Sequence, residues 1–231
     1  MKKMFIGWTK FQIYLLIFSS IILMISGIIS KSDLLTMICS LLSLSIVLTQ
    51  AKGKVISQFL GIIFVVIYSI VAYRNRYYGE VLIYVFIMLP LFVAGIVSWF
   101  KNMDEDTNRV KVNEITRKEW NVLIIISVIL FVILYYILKY FNTAQLFIST
   151  LSMVTSLFAT YLLTRRSKYG FLFYMGNDII LFSLWGVLVI QGSFSMLPLV
   201  VNQVVNFVND TYGWYSWNKI SKSNKKELIN V

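Results

Sequence analysis

The chain has 231 residues, 58% of them hydrophobic and 13% charged, with 21 basic against 10 acidic side chains and no histidine. That balance excludes an ordinary soluble domain. The lack of histidine removes the usual metal ligand and near-neutral proton relay. No P-loop, Gly-x-Gly-x-x-Gly or base-activated nucleophile is present, so neither an enzyme nor a bound cofactor or metal is expected.

Eight apolar runs follow one another, at 11–29, 33–49, 55–73, 79–100, 120–139, 144–163, 169–190 and 194–217. Each suits a helix crossing a hydrocarbon core of about 30 Å. The run at 33–49 is the weakest because of its Ser and Thr content. Lys2 and Lys3 precede the first run, but Ile28-Ile29-Ser30 offers no small-x-small cleavage site, so no signal peptide is expected. The lone Cys39 lies in the second run and rules out a disulfide framework. Between the fourth and fifth runs, Asn102 to Glu119 reads as a charged cytoplasmic linker. It closes on Thr116-Arg117-Lys118-Glu119, a capping box for the fifth helix. Trp8, Trp99, Trp120 and Trp217 fall near helix ends, where membrane-interface anchoring is the expected role.

Eight spans with an internal N-terminus put 17 of the 21 basic residues inside and leave only Lys31, Arg74, Arg76 and Lys139 outside. This is the positive-inside pattern, and it predicts cytoplasmic termini in a plasma (inner) membrane protein. The net charge of +11 therefore orients the chain in the bilayer, and no nucleic-acid partner is expected.

A seven-position fingerprint occurs twice. Gly95-x-x-Ser98-Trp99-x-Lys101 returns as Gly213-x-x-Ser216-Trp217-x-Lys219, each time where an apolar run meets a basic segment. Both copies leave the membrane on the same side, which predicts parallel repeats with a site between them. Spans two to four then match spans six to eight, with span five as connector. The expected fold class is an all-α polytopic membrane protein of about eight transmembrane helices, three plus one plus three after an N-terminal helix. The expected division is an N-terminal helix at 1–32, a first repeat at 33–101, a linker and connector at 102–143, a second repeat at 144–219 and a tail at 220–231. Reading back from the fingerprint pairs Tyr68 with Trp185, Gly53 with Gly170 and Gly61 with Asp178.

Polar side chains inside a bilayer are costly, so their positions are informative. In the last run Asn202, Asn206, Asn209 and Gly213 share one helical face, flanked by Gln203 and Asp210. One or two amides would serve as packing glue; four positions with a carboxylate read better as the wall of a polar pathway. In the seventh run Tyr174, Asp178 and Trp185 share a face with Asn177 beside it. Aromatic rings beside amides and carboxylates suit a flat heterocycle bearing a hydroxylated substituent, and a cationic ring gains from the aromatic quadrupole. Structural pairing of Asp178 with another helix is the alternative. The equivalents of Asn202, Asn206, Asn209 and Asp210 in the first half are Tyr84, Met88, Leu91 and Phe92. Binding chemistry is thus expected mainly in the second half, with Tyr68, Tyr84 and Trp99 closing the site. Pro90, within the fourth run, predicts a kink and a gating hinge.

The run Trp185…Asn206-Phe207-Val208-Asn209-Asp210-Thr211-Tyr212-Gly213-Trp214-Tyr215-Ser216-Trp217-Asn218-Lys219 resembles the PnuC family of vitamin transporters. The segment from Gly61 through Tyr78-Gly79-Glu80 to Trp99-Phe100-Lys101 is similar to the family as well, so the resemblance covers about residues 50–220. It implies a SWEET-like fold, import of nicotinamide riboside by facilitated diffusion, a homotrimer, and trapping by a cytoplasmic kinase. Related members carry thiamine, riboflavin or deoxynucleosides, and the resemblance leaves that choice open. Only Asp178 and Asp210 are available for ion coupling among the expected site residues, so uncoupled transport is expected, with proton symport as the alternative.

Overall fold

A computed structural model describes residues 9–229 apart from Arg76 and Asp106. Lys2, Lys3 and Trp8 lie outside the described residues. The apolar runs form helices α1 (Lys10–Ile29), α2 (Leu34–Ala51) and α3 (Ile56–Arg74), then α4 (Tyr78–Ile83) and α5 (Leu89–Lys101), which are joined by a π turn. After the linker come α6 (Arg117–Tyr140), α7 (Leu146–Thr164), α8 (Tyr169–Ile190) and α9 (Leu197–Ile229). Among the described residues, seven spans are long and apolar enough to cross a bilayer: α1, α2, α3, the α4–α5 unit, α6, α7 and α8. The weak run at 33–49 thus folds as a full-length helix. The eighth, α9, is long enough but carries the polar stripe that lowers its hydropathy. It also runs on past residue 219, so the expected tail at 220–231 is helical through Ile229.

Local chemistry sets the helix ends. Thr9 and Gln12 form a capping box on α1, and the Asp33 side chain accepts from the Thr36 N–H at the start of α2. The Thr116–Glu119 box caps α6 as its sequence predicts. The α2 and α7 ends close with the same pair of bonds. Gly53 and Lys54 donate to Gln50 and Thr49, and Arg166 and Ser167 donate to Leu163 and Leu162. These are Schellman turns, whose left-handed residue is Gly53 (φ 66°) in one and Arg166 (φ 61°) in the other. Gly53 therefore corresponds to Arg166, and the pairing with Gly170 expected from sequence is one helical turn out.

The π turn spans Tyr84–Met88, with the Leu89 N–H reaching Tyr84 O. Pro90, just downstream, has no N–H to give to the preceding turn, and a π turn is a common way for a helix to absorb such a break. The π turn therefore lies next to Pro90, at the cleft described below.

The linker is not free-standing. Met103–Asp104 pairs with Arg109–Val110 in a two-stranded ladder, β1 and β2. Val110 N–H donates to Gly53 O, and Asn113 N–H to Arg166 O, so one segment fastens both Schellman turns. The lateral surface is apolar: Phe11, Phe18 and Ile28 of α1 and Ile124, Ile125 and Val128 of α6 are all exposed. Such a surface fits hydrocarbon, where helices satisfy their own backbone groups.

Trp99 and Trp217 do not serve as interface anchors; both are 0% exposed. Their rings lie 5.7 Å apart, and each indole N–H donates to a carbonyl at the end of a helix, Trp99 to Leu163 of α7 and Trp217 to Gln50 of α2. The duplicated fingerprint is thus a pair of matching locks between helices. Its glycines are spaces for neighbours: a Cβ on Gly213 would lie 2.5 Å from the Phe171 ring, and one on Gly95 2.3 Å from Gln58 Oε1. Trp120 is half-buried and packs on Tyr169 and Phe173.

Candidate functional site

The helices enclose a cleft with about 800 Å³ of non-atom space, of which about 90 Å³ is free to the centres of water-sized molecules. The larger figure includes space open to the outside; the smaller shows side chains crowding the interior. From α8 come Tyr174, Asn177, Asp178 and Trp185; from α9 come Asn202, Gln203, Asn206 and Asp210. Tyr68 of α3 and Tyr84 of the π turn close the opposite wall. Of the expected site residues, Asn209 and Trp99 do not line the cleft. Asn209 is 0% exposed and its amide donates to Val205 O within α9. Trp99, expected to close the site, is held away from it in the tryptophan pair.

Counted from the Schellman turns, Ser43 of α2 corresponds to Ser156 of α7, and Phe64 and Tyr68 of α3 to Asn177 and Leu181 of α8. Counted from the two tryptophan locks, Tyr84, Met88 and Phe92 correspond to Asn202, Asn206 and Asp210. All of these residues line the one cleft. The expected matches of Tyr84, Met88 and Phe92 fit this register, whereas those of Tyr68 with Trp185 and Gly61 with Asp178 are one turn out. Gly61 instead corresponds to Tyr174. On the first-half side a Cβ on Gly61 would sit 2.3 Å from the Phe92 ring, so that wall is filled with carbon.

The second-half wall is hydrogen-bonded from behind. Thr155 donates to Asn177 Oδ1 at 2.8 Å, Thr160 and Tyr174 share a bond of 2.6 Å, and Asn206 donates to Ser43 at 2.8 Å. The Asp178 and Asp210 carboxyl groups lie close enough to act on each other. What remains unsatisfied is consistent in kind: Asp178 Oδ2, Asn202 Oδ1, Asn206 Oδ1 and Asp210 Oδ1 are buried acceptors with no partner among the described residues. Leaving buried acceptors unpaired costs about 1–3 kcal/mol each, a cost that a ligand with several donors removes.

The opposite wall is aromatic. Tyr68 and Tyr84 lie 4.4 Å apart and Phe64 stacks on Tyr68 at 5.4 Å, while Trp185 of α8 packs edge-to-face with Tyr77 at 5.5 Å. Tyr68 is fixed by donating to Glu80 Oε2 at 2.5 Å. Glu80 is 1% exposed and was not anticipated: its partner is twelve positions back across a turn, a relation no helical periodicity reveals. Ser43 and Gln50 of α2 were also missed. Ser43 is one of the polar residues that weaken the run at 33–49, but Thr36, Ser40, Ser45 and Thr49 do not line the cleft, so that content alone did not single it out.

Comparison with known proteins follows this architecture closely. A family profile described as nicotinamide mononucleotide transporter matches residues 33–229. The chain is 25% identical to the nicotinamide riboside transporter PnuC of Neisseria mucosa, across 96% of this chain and 86% of that one. It is 23% identical to the nicotinamide riboside transporter PnuC of Haemophilus influenzae, over 94% and 93% of the two chains. A solved structure described as the crystal structure of the vitamin B3 transporter PnuC superposes with a TM-score of 0.82, at 24% identity and 94% coverage of both chains. The profile spans most of the chain and the relatives match it nearly end to end: the chain belongs to the nicotinamide mononucleotide transporter family, that of the PnuC proteins.

Proposed function

We propose that the protein imports nicotinamide riboside by facilitated diffusion, without enzymatic action of its own, the vitamin being retained by cytoplasmic phosphorylation. The observation that carries this is the pairing of an aromatic wall with unpaired acceptors inside one cleft. Nicotinamide riboside has a flat cationic ring, an amide donor and ribose hydroxyls. The ring suits Trp185, Tyr68 and Tyr84 and the carboxyl groups nearby, and the hydroxyls suit Asn202, Asn206 and Asp210. The names of the relatives support the same substrate. Because the free space is small, loading requires the side chains lining the cleft to part, and the π turn beside Tyr84 is the natural place for α4 and α5 to flex.

The proposal includes a scaffold of two parallel three-helix units, α2–α3–α4/α5 and α7–α8–α9, joined by α6 as in SWEET-like carriers and preceded by α1. The matching Schellman turns and tryptophan locks support it. It further includes eight spans, cytoplasmic termini in the plasma (inner) membrane, and a homotrimer. With cysteines placed singly at Asn102 and Asn75 in a Cys39→Ser background, an impermeant reagent added to whole cells should label position 75 and spare 102. Labelling at 102 would overturn the topology.

One observation favours a second reading. The Asp178–Asp210 contact supplies the neighbouring titratable pair that a proton-coupled carrier requires. Substrate is tested directly by thermal unfolding of the purified protein with nicotinamide riboside, thiamine, riboflavin or deoxynucleosides. A ligand at a hundredfold its Kd adds about 2.7 kcal/mol of stability. Nicotinamide riboside should raise Tm most; a larger shift from another of the four would reassign the substrate.

A further inference from the structure

A second cavity lies at the end of the helices marked by the tryptophan pair, away from the cleft. It has a free volume of about 340 Å³ and is bounded by the start of α1, the α2–α3 turn, β2 and α9. Lys52, Arg109 and Lys219 converge on it together with Tyr212 and Ser216. Lys54 stands close enough to act on Lys52, and its ammonium donates to Asn108 O at 2.6 Å. Among the described residues the ion pairs are Arg74–Asp33 and Arg165–Glu119, which leave Arg109 and Lys219 out. Asp104 stands opposite Arg109 in the ladder, and its Oδ1 accepts from the Thr107 N–H and hydroxyl.

The neutral groups here present donors as well. Gln12 and Thr9 are spent on their capping box, and the Gln12 amide donates to Tyr212 OH at 2.7 Å. The Tyr212 oxygen is thereby occupied as acceptor, and its proton is left to donate. Ser216 belongs to the second copy of the fingerprint, and the two copies part company at this residue. Ser98 in the first copy donates to Thr164 O at 2.8 Å, whereas no partner for Ser216 is found among the described residues. Lys52 is only 3% exposed, and burial, Arg109 and Lys54 together push its ammonium down to about 8. A cavity lined by cations and O–H donors is built for negative charge with several acceptor oxygens.

We propose that this cavity binds a phosphate group, held by Arg109, Lys219 and Lys52 with Tyr212 and Ser216 donating to its oxygens. The group arrives either on a soluble phosphate or on the headgroup of an anionic lipid. The site is separate from the substrate cleft and does not depend on which vitamin the cleft takes.

The full-length protein in dodecyl maltoside should show a saturable rise in Tm with sodium phosphate, beyond that from sodium chloride at equal ionic strength. A parallel series uses micelles doped with phosphatidylglycerol against phosphatidylcholine. A response to phosphate assigns a soluble ligand, and one to phosphatidylglycerol alone assigns the lipid headgroup. Lys219→Gln and Arg109→Gln should each weaken the response about tenfold or more, as loss of a charge-assisted hydrogen bond does. Ser216→Ala should weaken it severalfold. Lys219 is exposed at the surface, so its variant should fold and bind nicotinamide riboside as the parent does. Equal responses to phosphate and chloride with none to phosphatidylglycerol, or responses unchanged in both Gln variants, would overturn the proposal.

Discussion

Replacing Trp185 by Ala should weaken nicotinamide riboside binding ten- to a hundredfold. The side chain is 1% exposed and lines the cleft, so its removal takes away a stacking face and leaves a void beside Tyr77. Loss of a stacking or hydrogen-bonding contact of this kind costs about 1–3 kcal/mol. Asn206→Ala belongs to the same class: it removes an unpaired acceptor and strands the hydroxyl of Ser43. Leu91→Ala, at a partly buried position outside the cleft lining, is the control and should change packing while leaving affinity nearly intact. Titration calorimetry on purified variants gives the comparison. Equal losses at Trp185 and Leu91 would show that the effect at Trp185 is one of folding and not of contact.

The largest effect on stability is expected at the tryptophan pair. Trp217→Ala removes a fully buried ring that packs on Phe171 at 5.3 Å and on Trp99 at 5.7 Å, and it strips one donor from Gln50 O. Large-to-small changes at buried aromatic positions cost about 3–5 kcal/mol; Gln50 O keeps its bond from the Gly53 N–H, so the lost ring packing dominates. Trp99→Ala should cost a similar amount, as Leu163 O likewise keeps its bond from the Arg166 N–H. Because the two rings touch, the double variant should lose less than the sum of the single losses. Denaturant unfolding in detergent reads all three. A loss under about 1 kcal/mol at either position would deny that the fingerprint is a structural lock.

Much of the fold was legible because hydrocarbon imposes a simple rule on sequence. Helix positions follow from runs of apolar residues, and the Thr116 capping box marks the start of α6. The face carrying Asn202, Asn206 and Asp210 could be read from its spacing, since one helix repeats every 3.6 residues. What spacing does not carry is the identity of a neighbouring helix. Asn209 shares the polar face by angle, yet its own α9 backbone takes its amide. Glu80 sits at the entrance of a span, where a carboxylate ordinarily meets solvent, and only the approach of Tyr68 reveals it as buried. Trp99 and Trp217 of the duplicated fingerprint make equivalent hydrogen bonds, but the pairing read inward from them is a turn out at Gly53. Arg166 holds the left-handed position that Gly53 holds in the other half, so matching glycines to glycines pointed to Gly170. The conformation was preserved there and the residue type was not.

An uncoupled path for nicotinamide riboside equilibrates its substrate and does not concentrate it. Proteoliposomes containing the pure protein should take up labelled nicotinamide riboside until inside and outside concentrations are equal, and no further. The final level should not move when the outside is acidified, and Asp210→Asn should retain downhill exchange. Accumulation above the outside concentration driven by an acid exterior, and lost in Asp210→Asn, would contradict the account and establish a proton symporter working through the Asp178–Asp210 pair.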